Sequence, residues 1–402
     1  MSPRRNLIVL FACQALYWGA VIIGITLSAV VGSSLAPEPL FATLPAALLT
    51  VGAIFTTTPV SLMMQRYGRR AGFRVGTVAG IAGGALCAAS IVTGSFIGFC
   101  VGNLALGIYQ ACANYYRLAA TDSVPPERSG RAVAWVMAGG VVAALVGPTL
   151  SIWTKDVIAN ATYAGSYVVV AALSLIATWL IGQFCPPEPE EQDDSDKSDT
   201  PASIPARRLS QIISQPIFIA AVANAGVSHG VMILVMTTTP LAMLAHQLTM
   251  SNAAIVIQWH VLGMFLPAFF SGKLVDKFGA GLVSLVGAIV FAVSITLAAS
   301  GTALSNFWVS SMLLGVGWNL MYVAGTTLIA RSHRPAERGR VQGVAELGIA
   351  MIAAVSAFSS GALLTYFGWR AVNVGATPLL IIVVLVTLWF MHTERQAQAS
   401  PA

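Results

Sequence analysis

Apolar runs of membrane-spanning length recur along this 402-residue chain. Residues 7–31 and 371–391 are two of them, and each exceeds the roughly 20 helical residues that cross a bilayer core. Only 9% of the residues are charged, compared with roughly 25% in soluble domains. The chain is therefore predicted to be an all-α integral membrane protein surrounded by the lipid bilayer.

Runs bounded by proline, glycine and charged residues predict twelve transmembrane helices. The predicted bounds are residues 7–31, 41–65, 73–95, 97–120, 131–154, 163–184, 216–243, 251–271, 281–300, 306–330, 341–366 and 371–392. With a cytoplasmic N-terminus, 19 of the 21 Lys and Arg residues (21 − 2) lie on the cytoplasmic side, and only Lys155 and Arg370 lie on the other. This bias predicts an inner-membrane, multi-pass protein with both termini in the cytoplasm.

The net charge of +6 does not indicate a nucleic-acid partner, because the basic residues are dispersed at the ends of the apolar runs. The five cysteines form no Cys-x-x-Cys pair. No His-x-x-x-His, Glu-x-x-His or Gly-x-Ser-x-Gly motif occurs either. We expect no nucleic acid, metal or cofactor, and no enzymatic activity.

An acidic, proline-containing segment at residues 186–215 is predicted to be a cytoplasmic linker between six-helix bundles at residues 1–185 and 216–402. Loops of the two halves repeat at a nearly constant interval. Gly68 and Gly279 lie 211 positions apart (279 − 68), and Glu127 and Glu337 lie 210 apart (337 − 127). The interval predicts two pseudo-symmetric bundles.

These loops resemble those of the major facilitator superfamily, and the resemblance extends over essentially the whole chain. The loop after the second helix of that family reads Gly-x-x-x-Asp-Arg-x-Gly-Arg-Arg, and residues 61–70 here read Ser-Leu-Met-Met-Gln-Arg-Tyr-Gly-Arg-Arg. Gln65 replaces the acid of the family, whereas residues 272–279 keep both glycines and Asp276. The resemblance implies a transporter that works by alternating access.

In the family these loops latch the cytoplasmic face shut, so the resemblance implies a cytoplasmic gate. Asp276 is expected to face the positive end of the fifth helix, and Asp122 and Glu346 are candidate partners for Arg69. The competing interpretation is that the charges only set topology. The predicted gate residues are Arg66, Gly68, Arg69, Arg70, Asp122, Asp276, Lys277 and Gly279.

Polar and aromatic side chains occur inside several predicted spans, where polar groups need a partner or a water-filled cavity. Helices one, four, seven and ten of the family line its central cavity, so the resemblance directs most of these groups inward. The alternative for each residue is an interhelical hydrogen bond. The predicted substrate-binding set is Gln14, Tyr17, Trp18, Gln110, Asn114, Tyr115, Asn224, His229, Trp259, His260, Trp318, Asn319 and Tyr322.

The mixture of amides, imidazoles and aromatic rings suits a small, planar, hydrogen-bonding solute. Residues 134–148 and 257–264 are similar to segments of a bacterial subgroup that includes riboflavin transporters, which implies a flavin-like substrate. If protons drive transport, His229 and His260 are the predicted coupling groups, with Glu346 behind them, because imidazole changes charge near neutral pH.

Two alternatives remain open beside a monomeric solute transporter. Gly147-Pro148 resembles part of the signature of drug antiporters in the superfamily, so an antiporter that exports drugs or metabolites is one alternative. The other is a receptor or scaffold that has the transporter topology but moves no solute.

Overall fold

A computed structural model describes residues 3–125, 132, 135–185, 207–334 and 337–399. Within these ranges the regular structure is helical, with no strand. The loop at residues 126–131, the start of the predicted fifth span and most of the predicted linker lie outside the described residues, so the linker bounds stay a prediction.

The first half of the chain supplies six membrane crossings. The fourth crossing consists of two helices, because the chain makes a turn at Asn114 and Tyr115. The helices are α1 Pro3–Leu35, α2 Leu44–Tyr67, α3 Arg69–Thr93, α4 Phe96–Ala113, α5 Tyr116–Asp122, α6 Gly139–Trp153 and α7 Ala164–Ile181.

The second half supplies six further crossings. Its helices are α8 Leu209–Ile213, α9 Pro216–Ala245, α10 Met250–Phe265, α11 Ala268–Phe278, α12 Ala280–Ser300, α13 Leu304–Arg331, α14 Arg338–Val374 and α15 Thr377–Ala399. Eleven apolar stretches in the described residues are long enough to span a membrane, and the last, Arg340–Ala397, is 58 residues long. Gly368, with non-helical backbone angles, divides this stretch into two crossings. The predicted fold of twelve helices in two six-helix bundles is confirmed.

The sequence repeat is visible in the backbone. Gly68 joins α2 to α3 and Gly279 joins α11 to α12, and both have φ of +84°. Just before these glycines, the Arg66 guanidinium lies 5.3 Å from the Tyr67 ring centroid and the Lys277 ammonium lies 5.1 Å from that of Phe278. The two loops thus share one conformation and one cation–aromatic contact.

The two halves also pack their helices alike. Gly52 of α2 lies so close to the Leu104 carbonyl of α4 that no Cβ would fit, and Gly263 of α10 lies equally close to the Met312 carbonyl of α13. Close backbone approach at small residues is the usual way that helices associate in lipid, where the surrounding tails are as apolar as the side chains.

We call the membrane face at which α1 begins and α15 ends the termini face, and the opposite one the far face. The halves meet at the far face, where a Cβ on Gly361 of α14 would lie 2.5 Å from Thr43 Oγ1. Deeper in the membrane, the Trp18 ring of α1 packs edge-on against Phe265 of α10, with centroids 4.9 Å apart. In the described conformation the far face is therefore packed shut.

Candidate functional site

Two aromatic rings on α13 form the centre of the site. Trp318 and Tyr322 are four residues apart, which places them on one side of the helix. Their rings are stacked, with centroids 4.8 Å apart and planes at 14°. The Trp318 Nε1–H donates to Nδ1 of His229 on α9 at 3.4 Å. We call these three side chains the ring cluster; each is a predicted substrate-binding residue.

Charged groups from both halves approach the ring cluster. Arg117 of α5 and Glu346 of α14 both lie close enough to the Tyr322 hydroxyl to interact with it electrostatically. Arg117 lies near the end of a predicted span, so the sequence predicts only that it contributes to membrane orientation. The signal that could have identified it is the charge itself, since a cation inside an apolar run is expensive and is usually functional.

Several buried side-chain polar atoms in the membrane-spanning helices have no hydrogen-bond partner among the described residues, and two of them lie beside the contact between α1 and α10 near mid-membrane. One is the indole N–H of Trp18, and the other is the side-chain oxygen of Asn319. The Asn319 amide nitrogen donates to the Met264 carbonyl at 2.8 Å, while Trp18 packs on Phe265, the next residue of α10. A buried donor or acceptor left unpaired costs about 1–3 kcal/mol, so both groups are suited to a ligand or a water molecule.

The remaining predicted residues of the first half lie along α1 and the α4–α5 junction. Gln14 is buried and contacts the Met137 sulfur at 3.8 Å, and Tyr17 packs against Tyr109 with ring centroids 5.3 Å apart. The Tyr115 hydroxyl donates to the Thr57 carbonyl at 3.3 Å. Of their neighbours on these helices, Gln110 is half-buried and Asn114 is exposed.

Asn224 is held inside the second half. Its side chain is fully buried. Its amide donates to the Ala220 carbonyl and the Thr387 hydroxyl and accepts from Ser284. Both of its N–H groups are therefore used within one bundle.

His260 and Trp259 on α10 also contact α13. His260 is buried, with Nδ1 2.8 Å from the Ser311 carbonyl, and Trp259 packs against Trp308, with ring centroids 5.4 Å apart. Asn224, His260 and Trp259 therefore make their described contacts between helices of the second half, while Nε2 of His260 is buried without a partner among the described residues.

The predicted gate residues lie on the termini face. Arg69 forms an ion pair with Asp122 at 3.0 Å, one of the partners expected from the sequence, and Arg70 donates to the Gly182 carbonyl. Asp276 is exposed, and its expected partner at the start of the fifth span lies outside the described residues.

The ion pairs described on the termini face each lie within one half of the chain. They are Arg69–Asp122 in the first half, and Arg207–Glu337 and Arg331–Glu394 in the second. Nearby, the Tyr67 and Phe278 rings are more than half exposed. The described part of this face therefore lacks an ion pair between the halves, whereas the far face is closed.

Twelve apolar crossings in two similar halves, with charged and aromatic groups between them, are the architecture of a multi-pass membrane transporter. The sequence model of the Major Facilitator Superfamily matches residues 8–257 and 225–402. The chain belongs to this superfamily, as its loops predicted.

Two relatives and one solved structure resemble the chain over nearly its whole length. The riboflavin transporter RfnT of Brucella anthropi is 37% identical over 384 residues, which are 96% of this chain and 95% of that protein. The uncharacterized MFS-type transporter YddS of Bacillus subtilis is 27% identical over 97% of this chain and 91% of its own. A bacterial homolog of the human lysosomal transporter Spinster, solved inward-facing and unoccupied, superposes with a TM-score of 0.73 at 14% identity, covering 100% of this chain and 99% of that one.

Proposed function

We propose that this protein carries a flavin-like, planar heteroaromatic solute, with riboflavin as the first candidate. The observation that carries the proposal is the stacked pair of Trp318 and Tyr322, with His229 beside it. Aromatic faces bind planar heterocycles by stacking, which contributes about 1–3 kcal/mol per ring. The similarity to a named riboflavin transporter supports the same solute class.

The unpaired polar groups fit such a solute. One edge of a flavin carries carbonyl oxygens and an imide N–H. The free N–H of Trp18 can donate to a carbonyl, and the free oxygen of Asn319 can accept from the imide. Because Trp18 belongs to the first half and Asn319 to the second, one bound solute would contact both bundles.

We place solute movement in a rocking of the two bundles about the ring cluster, with the far face and the termini face opening in turn. Two observations support the state in which the far face is closed and the termini face is open. They are the closed seam at Gly361 and the absence of an ion pair between the halves on the described termini face. In our proposal the termini face is the cytoplasmic side of the inner membrane, since it carries most of the basic residues.

For proton coupling we propose His229 with Glu346. His229 is only partly buried and its ring nitrogen Nδ1 meets Trp318, so a change in its charge would reach the stacked rings directly. Glu346 interacts electrostatically with Tyr322, which belongs to the same ring cluster as His229. His260 is less suited to this role, because it is buried among helices of one half and already contacts a carbonyl.

The test is uptake of radiolabelled riboflavin by proteoliposomes that contain the full chain, with and without an inward proton gradient. We expect saturable uptake that the gradient accelerates. Trp318→Leu should raise KM about tenfold, because a lost stacking contact costs about 1–3 kcal/mol.

Trp308→Leu is the matched control, because this tryptophan lies on the same helix but is partly exposed on the outer surface, against Trp259. Its KM should stay unchanged. Binding of riboflavin without flux would favour a receptor, and extrusion of unrelated planar drugs without riboflavin transport would favour an efflux antiporter. Either result would overturn the proposal.

A further inference from the structure

A groove lies on the outer surface of the first half, between the start of α1 and the end of α7. Its volume is about 320 Å³, and two arginines, Arg4 and Arg5, line it at the termini face. Ile8 and Trp179 line its apolar part, and both side chains are more than half exposed. The groove thus combines two cations with an apolar wall.

The position of the groove matches the border of a bilayer. Arg4 and Arg5 lie in the first turn of α1, where the chain enters the apolar run, and Gln183 lies two residues after the end of α7. Tryptophan is enriched at the level of lipid headgroups. Trp179 lies two residues before the end of α7, which places it at this level. A ligand in the groove would therefore have its polar end among headgroups and its apolar end among acyl chains.

The groove is separate from the transport site. It is formed by two helices of the first half on their outer surface, whereas the ring cluster lies on α9 and α13 of the second half. Its occupant therefore comes from the surrounding lipid rather than from the solute path.

The second half of the sequence repeat has no matching pair of arginines. Trp389 follows Trp179 by 210 positions (389 − 179), so the second half keeps the aromatic residue, and it is also exposed. The positions 210 after Arg4 and Arg5 are Ser214 and Gln215 (4 + 210 and 5 + 210). The second half therefore has the matching tryptophan but not the pair of cations. Only the first half combines both features at these positions.

We propose that this groove is a binding site for one anionic phospholipid. The phosphate lies at the Arg4 guanidinium, which favours bidentate contacts with phosphate oxygens, with the positive charge of Arg5 beside it, and an acyl chain lies along Ile8 and Trp179. Basic pockets between transmembrane helices bind anionic headgroups in this way. A zwitterionic lipid of the same chain length has the same apolar end but no net charge, so it binds more weakly.

The test measures lipid retention on the purified full chain by native mass spectrometry, with phosphatidylglycerol and phosphatidylcholine of equal chain length. We expect one tightly retained phosphatidylglycerol. The double substitution Arg4→Gln and Arg5→Gln should weaken it about 25-fold, at roughly fivefold for each basic residue near a lipid surface. The double substitution to lysine should restore most of the preference for phosphatidylglycerol.

Three matched variants separate the groove from general effects of charge and surface. Arg395→Gln removes an exposed cation on the same face outside the groove and should change nothing. Trp179→Leu should weaken retention, whereas Trp389→Leu should not. Equal retention of both lipids by the wild type, or equal losses in Arg395→Gln and the double glutamine variant, would overturn the proposal. A melting temperature measured in detergent alone checks that each variant is folded.

Discussion

The Glu337 carboxylate is buried at the start of α14, with 2% of its side chain exposed. It accepts hydrogen bonds from the Arg207 backbone N–H at 2.8 Å, from Arg207 Nε at 3.0 Å and Nη2 at 2.8 Å, and from the Arg334 backbone N–H at 2.9 Å. The Arg207 side chain holds the pKa of Glu337 far below its usual range. One side chain thus fastens the residues before α8 to the loop between α13 and α14.

We predict that Glu337→Gln lowers the melting temperature of the purified protein at pH 7. The carboxylate is held ionised in the folded state, so its stabilisation is complete above the pKa of about 4.5 that it has when unfolded. This stabilisation is lost as the pH falls below that value. The difference in melting temperature between wild type and variant should therefore shrink with acidification, as measured by a thermal shift assay at several pH values.

Glu394→Gln serves as the control for this prediction. Glu394 pairs with Arg331 at 2.9 Å on the same face, but both side chains are substantially exposed. Exposed ion pairs contribute little to stability, so this variant should melt like the wild type at every pH. A difference for Glu337→Gln that does not depend on pH would contradict the assignment.

At the scale of single residues, sequence could predict which side chains matter but not which way they point. A membrane helix is apolar on all sides, so its pattern does not mark an inner face. The sequence therefore predicts both Asn224 and Trp318 as substrate-binding residues. In the structure, Asn224 is hydrogen-bonded inside its own bundle, whereas Trp318 donates to His229. The charge of Arg117 inside an apolar run marks it as a candidate, but only the fold shows that its partner is Tyr322.

At the scale of elements, the α11–α12 junction depends on one backbone conformation. Gly279 has φ of +84° and ψ of 149°, a region that essentially only glycine occupies and that costs other residues about 1–3 kcal/mol. No atom lies within 4 Å of a Cβ added there. Strain, and not crowding, is therefore the reason for glycine at this position.

We predict that Gly279→Ala destabilises the protein by about 1–3 kcal/mol. Gly272→Ala is the control, because Gly272 lies inside α11 and a Cβ there also meets open space. In a helix, alanine is favoured over glycine by roughly 0.5–1 kcal/mol, so this variant should be neutral or more stable. Chemical denaturation measures the free energy of unfolding of both variants. Equal values for Gly279→Ala and Gly272→Ala would contradict the prediction.

The ends of a helix could be predicted where the apolar run and the helix have the same length. The seventh predicted span, 216–243, is observed as Pro216–Ala245. The eighth, 251–271, was predicted too short and as one helix. Pro267 breaks it, and α11 continues to Phe278. Hydropathy misses this continuation, since Lys273, Asp276 and Lys277 follow the apolar run.

At the scale of the whole molecule, the far-face seam holds the two halves in the described state. A Cβ on Gly361 would lie 2.5 Å from Thr43 Oγ1 and 3.1 Å from the Leu40 carbonyl. A larger residue there must push the first half away. Overpacking of this kind typically costs about 1–3 kcal/mol, which is enough to shift two conformational states about tenfold or more.

We therefore predict that Gly361→Val opens the far face. Spin labels at the exposed positions Glu38 and Phe367 would report a longer distance between the halves by pulsed electron paramagnetic resonance. Gly343→Val on the same helix is the control, because a Cβ there meets nothing within 4 Å. An unchanged distance in Gly361→Val would argue against rocking about this seam.

The confinement of the termini-face ion pairs Arg69–Asp122, Arg207–Glu337 and Arg331–Glu394 to single halves has a kinetic consequence. Among the described residues, separating or joining the halves at this face leaves these three pairs intact. These three pairs then contribute nothing to the barrier to turnover, which comes from apolar contacts, from the loaded solute and from the interaction of Arg117 with Tyr322 between the halves. Turnover should accordingly be steeply sensitive to temperature and nearly insensitive to added salt.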